Sequence, residues 1–111
     1  MKDTITLDDF IKLDVRIGEV IEAKNLADSK KLLELTVDFG EEVGTRTILA
    51  GMQKWYTPED FIHKKFLFLV NLAPRKMAGS ESQGMLMAAD NDDKPILIEA
   101  PNDIPNGSMI R

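Results

Sequence analysis

There is no cysteine in the 111 residues, so disulfides, thiol nucleophiles and cysteine-ligated zinc are all excluded, and a reducing cytosol suits the chain. Histidine occurs once, at His63, which reads as a surface residue after a short helix, in a different loop from the serine-rich stretch Ser80–Ser82. Aromatic residues make up only 6% of the chain, with one Trp and one Tyr. No apolar run approaches the ~20 residues needed to cross a bilayer. Met1–Ile5 has no signal-peptide pattern, and the expected location is the cytoplasm, with no membrane partner. No Gly-Lys-Ser/Thr phosphate loop, internal repeat or low-complexity segment occurs. Nothing in the sequence calls for a cofactor or a metal.

What is present fits one globular domain over residues 1–111, with 43% apolar and 30% charged residues. The net charge of −5 argues, as a whole-chain sum, against a nucleic-acid partner. Its distribution says otherwise. Met1–Val15 holds four acids against two lysines, and Asp90–Arg111 holds five acids against Lys94 and Arg111. Between these ends, ten acids balance ten bases, and the bases fall in adjacent pairs at Lys30/Lys31, Lys64/Lys65 and Arg75/Lys76. A binding patch works through its local field, so a balanced middle with paired cations permits a polyanion. The acidic total predicts few phosphate contacts and modest affinity.

The pattern along the chain is mostly that of strands. Thr6 and Asp9 suit a capped short helix over Leu7–Lys12, with Leu7, Phe10 and Ile11 on one face. Asp14–Lys24 is rich in β-branched residues and reads as a long first strand, interrupted by Gly18, where a bend would let one strand serve two sheet edges. Leu33, Leu35, Val37 and Phe39 alternate with polar residues and give a second strand. A hairpin over Gly40–Gly44 leads to a third strand, Thr45–Ala50. Pro58 follows Thr57 as the start of a short helix. Phe66–Asn71 and Met85–Ala89 read as the fourth and fifth strands, with a sixth over Pro95–Glu99 and a turn-rich tail over Pro101–Gly107.

Five main strands with a helix between the third and fourth give an all-β fold, a five-stranded Greek-key barrel of the OB type with short helices and a C-terminal extension. The barrel is expected over 13–90 and the extension over 91–111. Such barrels bind through the loops between strands 1 and 2 and between strands 4 and 5. Lys30 and Lys31 fall in the first of these loops, Arg75 and Lys76 in the second. The second loop runs from Asn71 to Gly84, polar and basic at its start, between two buried-type strands. It offers fixed cations, hydroxyls and amides to a phosphate-rich ligand.

The segment NLAPRKMAGSESQGMLMAA at Asn71–Ala89 also resembles the hallmark of the tRNA-binding domain found at the C-terminus of many methionyl-tRNA synthetases and in free-standing structure-specific tRNA-binding proteins. The resemblance extends to DDFIKLDVRIGEVIEAKNLADSKKLLELTVDFGEE near the start and to IPNGSMIR at the end. It implies a non-catalytic module that reads folded tRNA by shape, with an aminoacyl-tRNA synthetase as a further partner. It also implies a homodimer formed by the C-terminal extension and the N-terminal segment. By the same resemblance Lys31, Asn71, Ser82 and Met85 join Lys30, Arg75 and Lys76 as RNA-contact candidates. Ser82 would act as a hydroxyl partner and Met85 as an apolar contact to a base or sugar.

Each candidate has a plainer reading. Paired lysines are often solvated charges, Met85 can be core, Ser82 can cap its own loop, and Asn71 can bond nearby backbone. Trp55 or Tyr56 can stack on a base or simply cover the barrel end. The alternative function is a homodimeric chaperone of the same fold family that binds unfolded or secretory polypeptides. It shares the LDVRIG-like start and PNG-like ending, whereas DSKKLLEL and ESQGMLMAA follow the tRNA-binding version. Enzyme readings fail: Ser80–Gly84 is a near miss to a nucleophile elbow, with Ser where the first Gly belongs. Asp90–Asp93 begins like a calcium loop that Pro95 breaks.

Overall fold

In the alternating segment, Leu33, Leu35 and Val37 are fully buried while Glu34, Thr36 and Asp38 are half-buried, as a strand with one face on a core requires. This is β2 (Leu33–Asp38) of the computed structural model, which describes residues Met1–Arg111. β3 (Thr45–Ala50) pairs with it antiparallel, Leu33 opposite Ala50. The connection expected to be a plain hairpin contains a single helical turn, α2 (Gly40–Val43), bounded by Gly40 and Gly44, both at φ 82°.

β1 (Val15–Asn25) serves two neighbours, as a barrel demands. Residues 19–25 pair with β2, and residues 15–19 pair with β4 (Lys65–Leu69). The irregularity sits later than Gly18: the register shifts between Val20 and Glu22, leaving Ile21 unpaired and 40% exposed. Gly18 has a different task. A Cβ there would lie 2.5 Å from Val37 Cγ1 and 2.6 Å from the Phe39 ring, so a bare backbone is needed for the opposite strand to approach.

The order across the sheet is β3-β2-β1-β4-β7, where β7 (Met85–Leu86) lies against β4. The fifth strand is shorter than its apolar run because the chain turns away to form a separate hairpin, β8 (Ala89–Asn91) with β9 (Lys94–Ile96). The sheet closes between β3 and the chain before β7 largely through side chains. Gln83 N–H donates to the Thr47 carbonyl (2.8 Å), Gln83 Oε1 accepts from Thr47 N–H (2.9 Å), and Ser82 Oγ accepts from Leu49 N–H (3.0 Å). The result is an all-β, OB-like barrel.

Phe39, Phe61, Phe66 and Phe68 fill the interior with the buried faces of β1 to β4. Phe39 meets Phe68 edge to face at 5.2 Å between centroids. The helix expected after Thr57 is one 3-10 turn, Pro58–Asp60, that delivers Phe61 to the core. Tyr56 packs against Phe61 and donates its hydroxyl to the Pro95 carbonyl (2.8 Å), which makes it a cover for the barrel end.

The C-terminal extension is stitched to the barrel. Ala100 N–H donates to Lys65 O and Gly107 N–H to Ile17 O, and β10 (Met109–Ile110) pairs with Val15 and Arg16. Arg16, only 7% exposed, binds Asp14 (2.7 Å), Glu42 (2.8 Å) and the Gly107 carbonyl (3.3 Å). The hydrogen bonds to Asp14 and then to Glu42 hold its pKa above the usual arginine value. This cation is a structural tie. Beside β10 lies α1 (Leu7–Ile11), N-capped by Thr6 Oγ1 and with none of its residues buried.

Candidate nucleic-acid interface

The segment expected to be a long polar loop is itself a β-ribbon. β5 (Arg75–Met77) pairs with β6 (Ser80–Ser82), Arg75 opposite Ser82 and Lys76 opposite Glu81. Ala78 (φ 48°) and Gly79 (φ 80°) make the two-residue turn, and positive φ at both positions matches the twist of a hairpin. Ala78 adopts this conformation despite its Cβ, and with Ala in place of Asn the turn carries no Asn-Gly signal. Ser80 Oγ donates to Glu34 Oε2 (2.8 Å), tying the ribbon to β2.

The pleat separates the two cations. Residues 75 and 77 share one face, and Arg75 and Met77 both line a cleft of about 270 Å³ beneath the ribbon. Lys76 lies on the other face, exposed and across from Glu81. Arg75 is folded over Met77, its Nη2 3.4 Å from the Met77 sulfur. The rest of the cleft comes from Leu32 at the end of the β1–β2 turn, from Leu49–Met52 at the end of β3, from Ser82 and Gly84, and from Met85 and Leu86 of β7. Seven of its eleven lining residues are apolar, so it is a greasy slot with a guanidinium at its rim.

Lys30 and Lys31 are exposed in the β1–β2 turn, next to Leu32. Gln53 braces that turn: its Nε2 donates to Ser29 O (3.0 Å) and Leu32 O (2.5 Å), and its N–H donates to Lys31 O (3.1 Å). Sequence reading had no signal for this role, since Gln53 is 21 residues from Leu32. None of Lys30, Lys31, Arg75 and Lys76 takes part in an ion pair, whereas Lys12, Arg16 and Lys24 do.

Met85 is 43% exposed at the cleft wall. Ser82 is not on the surface. It is 4% exposed, and its hydroxyl is committed to Leu49 N–H and to the Gly84 carbonyl (2.9 Å). A hydroxyl partner for RNA must be reachable, so the geometry gives Ser82 the job of closing the barrel under the cleft. Ser82→Ala should leave a buried N–H and carbonyl without partners, destabilising the fold by about 1–3 kcal/mol in a denaturant titration. Asn71 also stands apart from the cleft. Its Oδ1 accepts from Asp14 N–H (2.9 Å) and its Nδ2 donates to Lys12 O (2.6 Å), which anchors the chain ahead of β1. That is the backbone-bonding reading of Asn71.

Residues 15–109 match the family described as "Putative tRNA binding domain". The chain is 44% identical over 108 residues to a methionine–tRNA ligase of Caldanaerobacter subterraneus, covering 97% of this chain and 17% of that one. It thus spans about a sixth of the length of the curated relatives it matches. A MetRS related protein from Pyrococcus horikoshii superposes with a TM-score of 0.93 at 40% identity, over 99% of this chain and 100% of the other. Chaperone CsaA from Bacillus anthracis superposes with a TM-score of 0.87 at 30% identity, over 98% of this chain and 100% of the other.

The chain belongs to this tRNA-binding domain family. It is a non-catalytic domain, and the catalytic part of the related ligases lies outside the region it matches. No helix is long and apolar enough to cross a membrane.

Proposed function

We propose that the domain binds folded tRNA by shape, in the cytoplasm, as a free-standing factor or as the C-terminal module of a methionyl-tRNA synthetase. The carrying observation is the convergence of the β1–β2 turn and the β5–β6 ribbon on one apolar cleft, with Arg75 at its rim and Lys30 and Lys31 in the adjoining turn, none of them in an ion pair. Lys30, Lys31, Arg75 and Lys76 would contact phosphates, Met85 would meet a base or sugar, and Ser82 and Asn71 would hold the scaffold. Sparse cations on a rigid barrel suit the recognition of backbone geometry over base sequence.

The same proposal includes a two-fold homodimer. Leu7 (71% exposed), Phe10 (42%), Ile11 (65%), Leu13 (49%), Met109 (48%) and Ile110 (37%) surround one groove between α1 and β10. Apolar exposure on that scale at one site is usual for an interface. In an isologous pair each substitution acts twice, so Phe10→Asp with Ile110→Asp should yield a monomer by light scattering. A monomeric mass for the unaltered protein at micromolar concentration would remove this part of the proposal.

The chaperone reading keeps a place because of the superposition on CsaA and because the same groove could accept an apolar peptide. Fluorescence anisotropy with folded tRNA and with a permanently unfolded polypeptide separates the two. Tighter, salt-sensitive binding of tRNA supports the RNA reading. Tighter binding of the polypeptide, insensitive to salt, replaces it.

A further inference from the structure

The connection Val70–Gly84 has two flanks. Ser82 and Gly84 line the cleft on one side, while Gln83 lines a separate hollow of about 500 Å³ on the other. Of its lining residues, only Asn71 was a candidate by resemblance, and its side chain is committed to Asp14 N–H and Lys12 O. Its floor is the turn Val70–Pro74, its wall is Arg46 of β3, and no carboxylate lines it.

Arg46 is held but not neutralised. Its Nη1 donates to the Val70 carbonyl (2.6 Å) and to the Gln83 carbonyl (3.2 Å), and it forms no ion pair. Both bonds leave from one nitrogen, so Nε–H and the outer Nη2–H remain without protein acceptors. Neither atom is a buried unsatisfied group, because Asn106 Oδ1 alone has that status, so both are open to solvent. The free Nε/Nη2 edge is the side of a guanidinium that grips two oxygens of one phosphate in parallel. Asn71, Leu72 and Ala73 line the same hollow, and their main-chain N–H groups donate to no protein acceptor. A fixed arginine edge and unpaired amides on one hollow supply the kinds of donor that an anion takes.

We infer that Arg46 and the Asn71–Ala73 amides form a phosphate-binding site, which takes a backbone phosphate of the same tRNA on the far flank of the ribbon connection. The inference rests on the tRNA-binding reading for its ligand, but the anion site itself does not. The RNA strand would then straddle the connection, with Arg75 on one side and Arg46 on the other. Since the guanidinium is already fixed by two carbonyls, little side-chain freedom is lost on binding.

The test has two arms. In the first, tRNA affinity is measured against salt for wild type, Arg46→Gln and Arg46→Lys, each checked by thermal melting. Arg46→Gln should bind about tenfold more weakly and reduce the log–log salt slope by about 0.7–0.9. Arg46→Lys should keep the slope and lose only affinity, because charge remains without the fork. A folded Arg46→Gln protein with wild-type affinity and slope overturns the inference. In the second arm, wild-type protein is titrated with tripolyphosphate while the Arg46 Nε–H and the 71–73 amide resonances are followed. Movement of these signals together supports the site, and their immobility at saturation overturns it. If wild type binds no tRNA, the proposed function fails, and the tripolyphosphate arm alone decides whether the hollow is a site for free phosphate. That arm also decides the matter if Arg46→Gln does not fold.

Discussion

Replacing Lys30, Lys31, Arg75 and Lys76 together by alanine should abolish most tRNA binding while leaving the fold intact. All four side chains are exposed and outside every ion pair, so the loss of stability should stay within about 0.5 kcal/mol. Each phosphate contact contributes about 0.7–0.9 to the log–log salt slope. Four lost contacts therefore reduce the slope by roughly three, and weaken binding roughly 1000-fold at 0.1 M salt with the difference fading toward 1 M. All tRNA species should be affected alike, because phosphates carry no sequence. Met85→Ala offers the contrast: weaker binding with the slope unchanged, since thioether contact is uncharged. Titrations over a salt series read both quantities at once. A quadruple variant with the slope of wild type would mean that tRNA lands on another face.

The second large effect is on stability. Gly18→Val should cost about 3 kcal/mol, seen as a fall in melting temperature of about 10–20 °C. The added Cβ would stand 2.5 Å from Val37 Cγ1 and 2.6 Å from Phe39 Cε1. Val37 and Phe39 are both buried to 1% exposure or less, and Phe39 is wedged against Phe68. Neither can swing toward solvent, and β1 is paired on both edges near this point, so the backbone cannot shift without opening a ladder. A melting temperature equal to wild type would show that the core has slack the packing does not reveal. Gly18→Ala should give a smaller loss in the same direction.

How much could be read in advance follows from which forces are local. Alternating burial in β2 and the β-branched β1 were plain because period-two patterning is a direct product of a half-buried sheet. Gly18 stood out, but its reason lay in Val37 and Phe39, far along the chain, so the sequence suggested a bend where the structure needs room. The β5–β6 ribbon was missed because its turn uses Ala78 in place of the Asn or Asp that announces such a hairpin. Arg75 and Lys76 look equivalent as neighbours and become different only once strand pleating turns them to opposite faces. Ser82 and Asn71 were candidates by resemblance, and what each does was decided by long-range partners, Leu49 and Asp14, that no spacing rule supplies. The bracing roles of Gln53 and Arg46 carried no signal, since both hold carbonyls from distant turns.

The β5–β6 ribbon has a kinetic meaning. A flexible loop in its place would have to be ordered on each encounter, and that would slow productive docking. Here the turn at Ala78–Gly79, the seam at Ser82 and the bond from Ser80 to Glu34 set the shape while the chain folds. For a tRNA docking on the ribbon, the expected rate is one set by diffusion and the field around a few cations, with no rearrangement of the ribbon. Added salt should slow arrival more than it hastens departure.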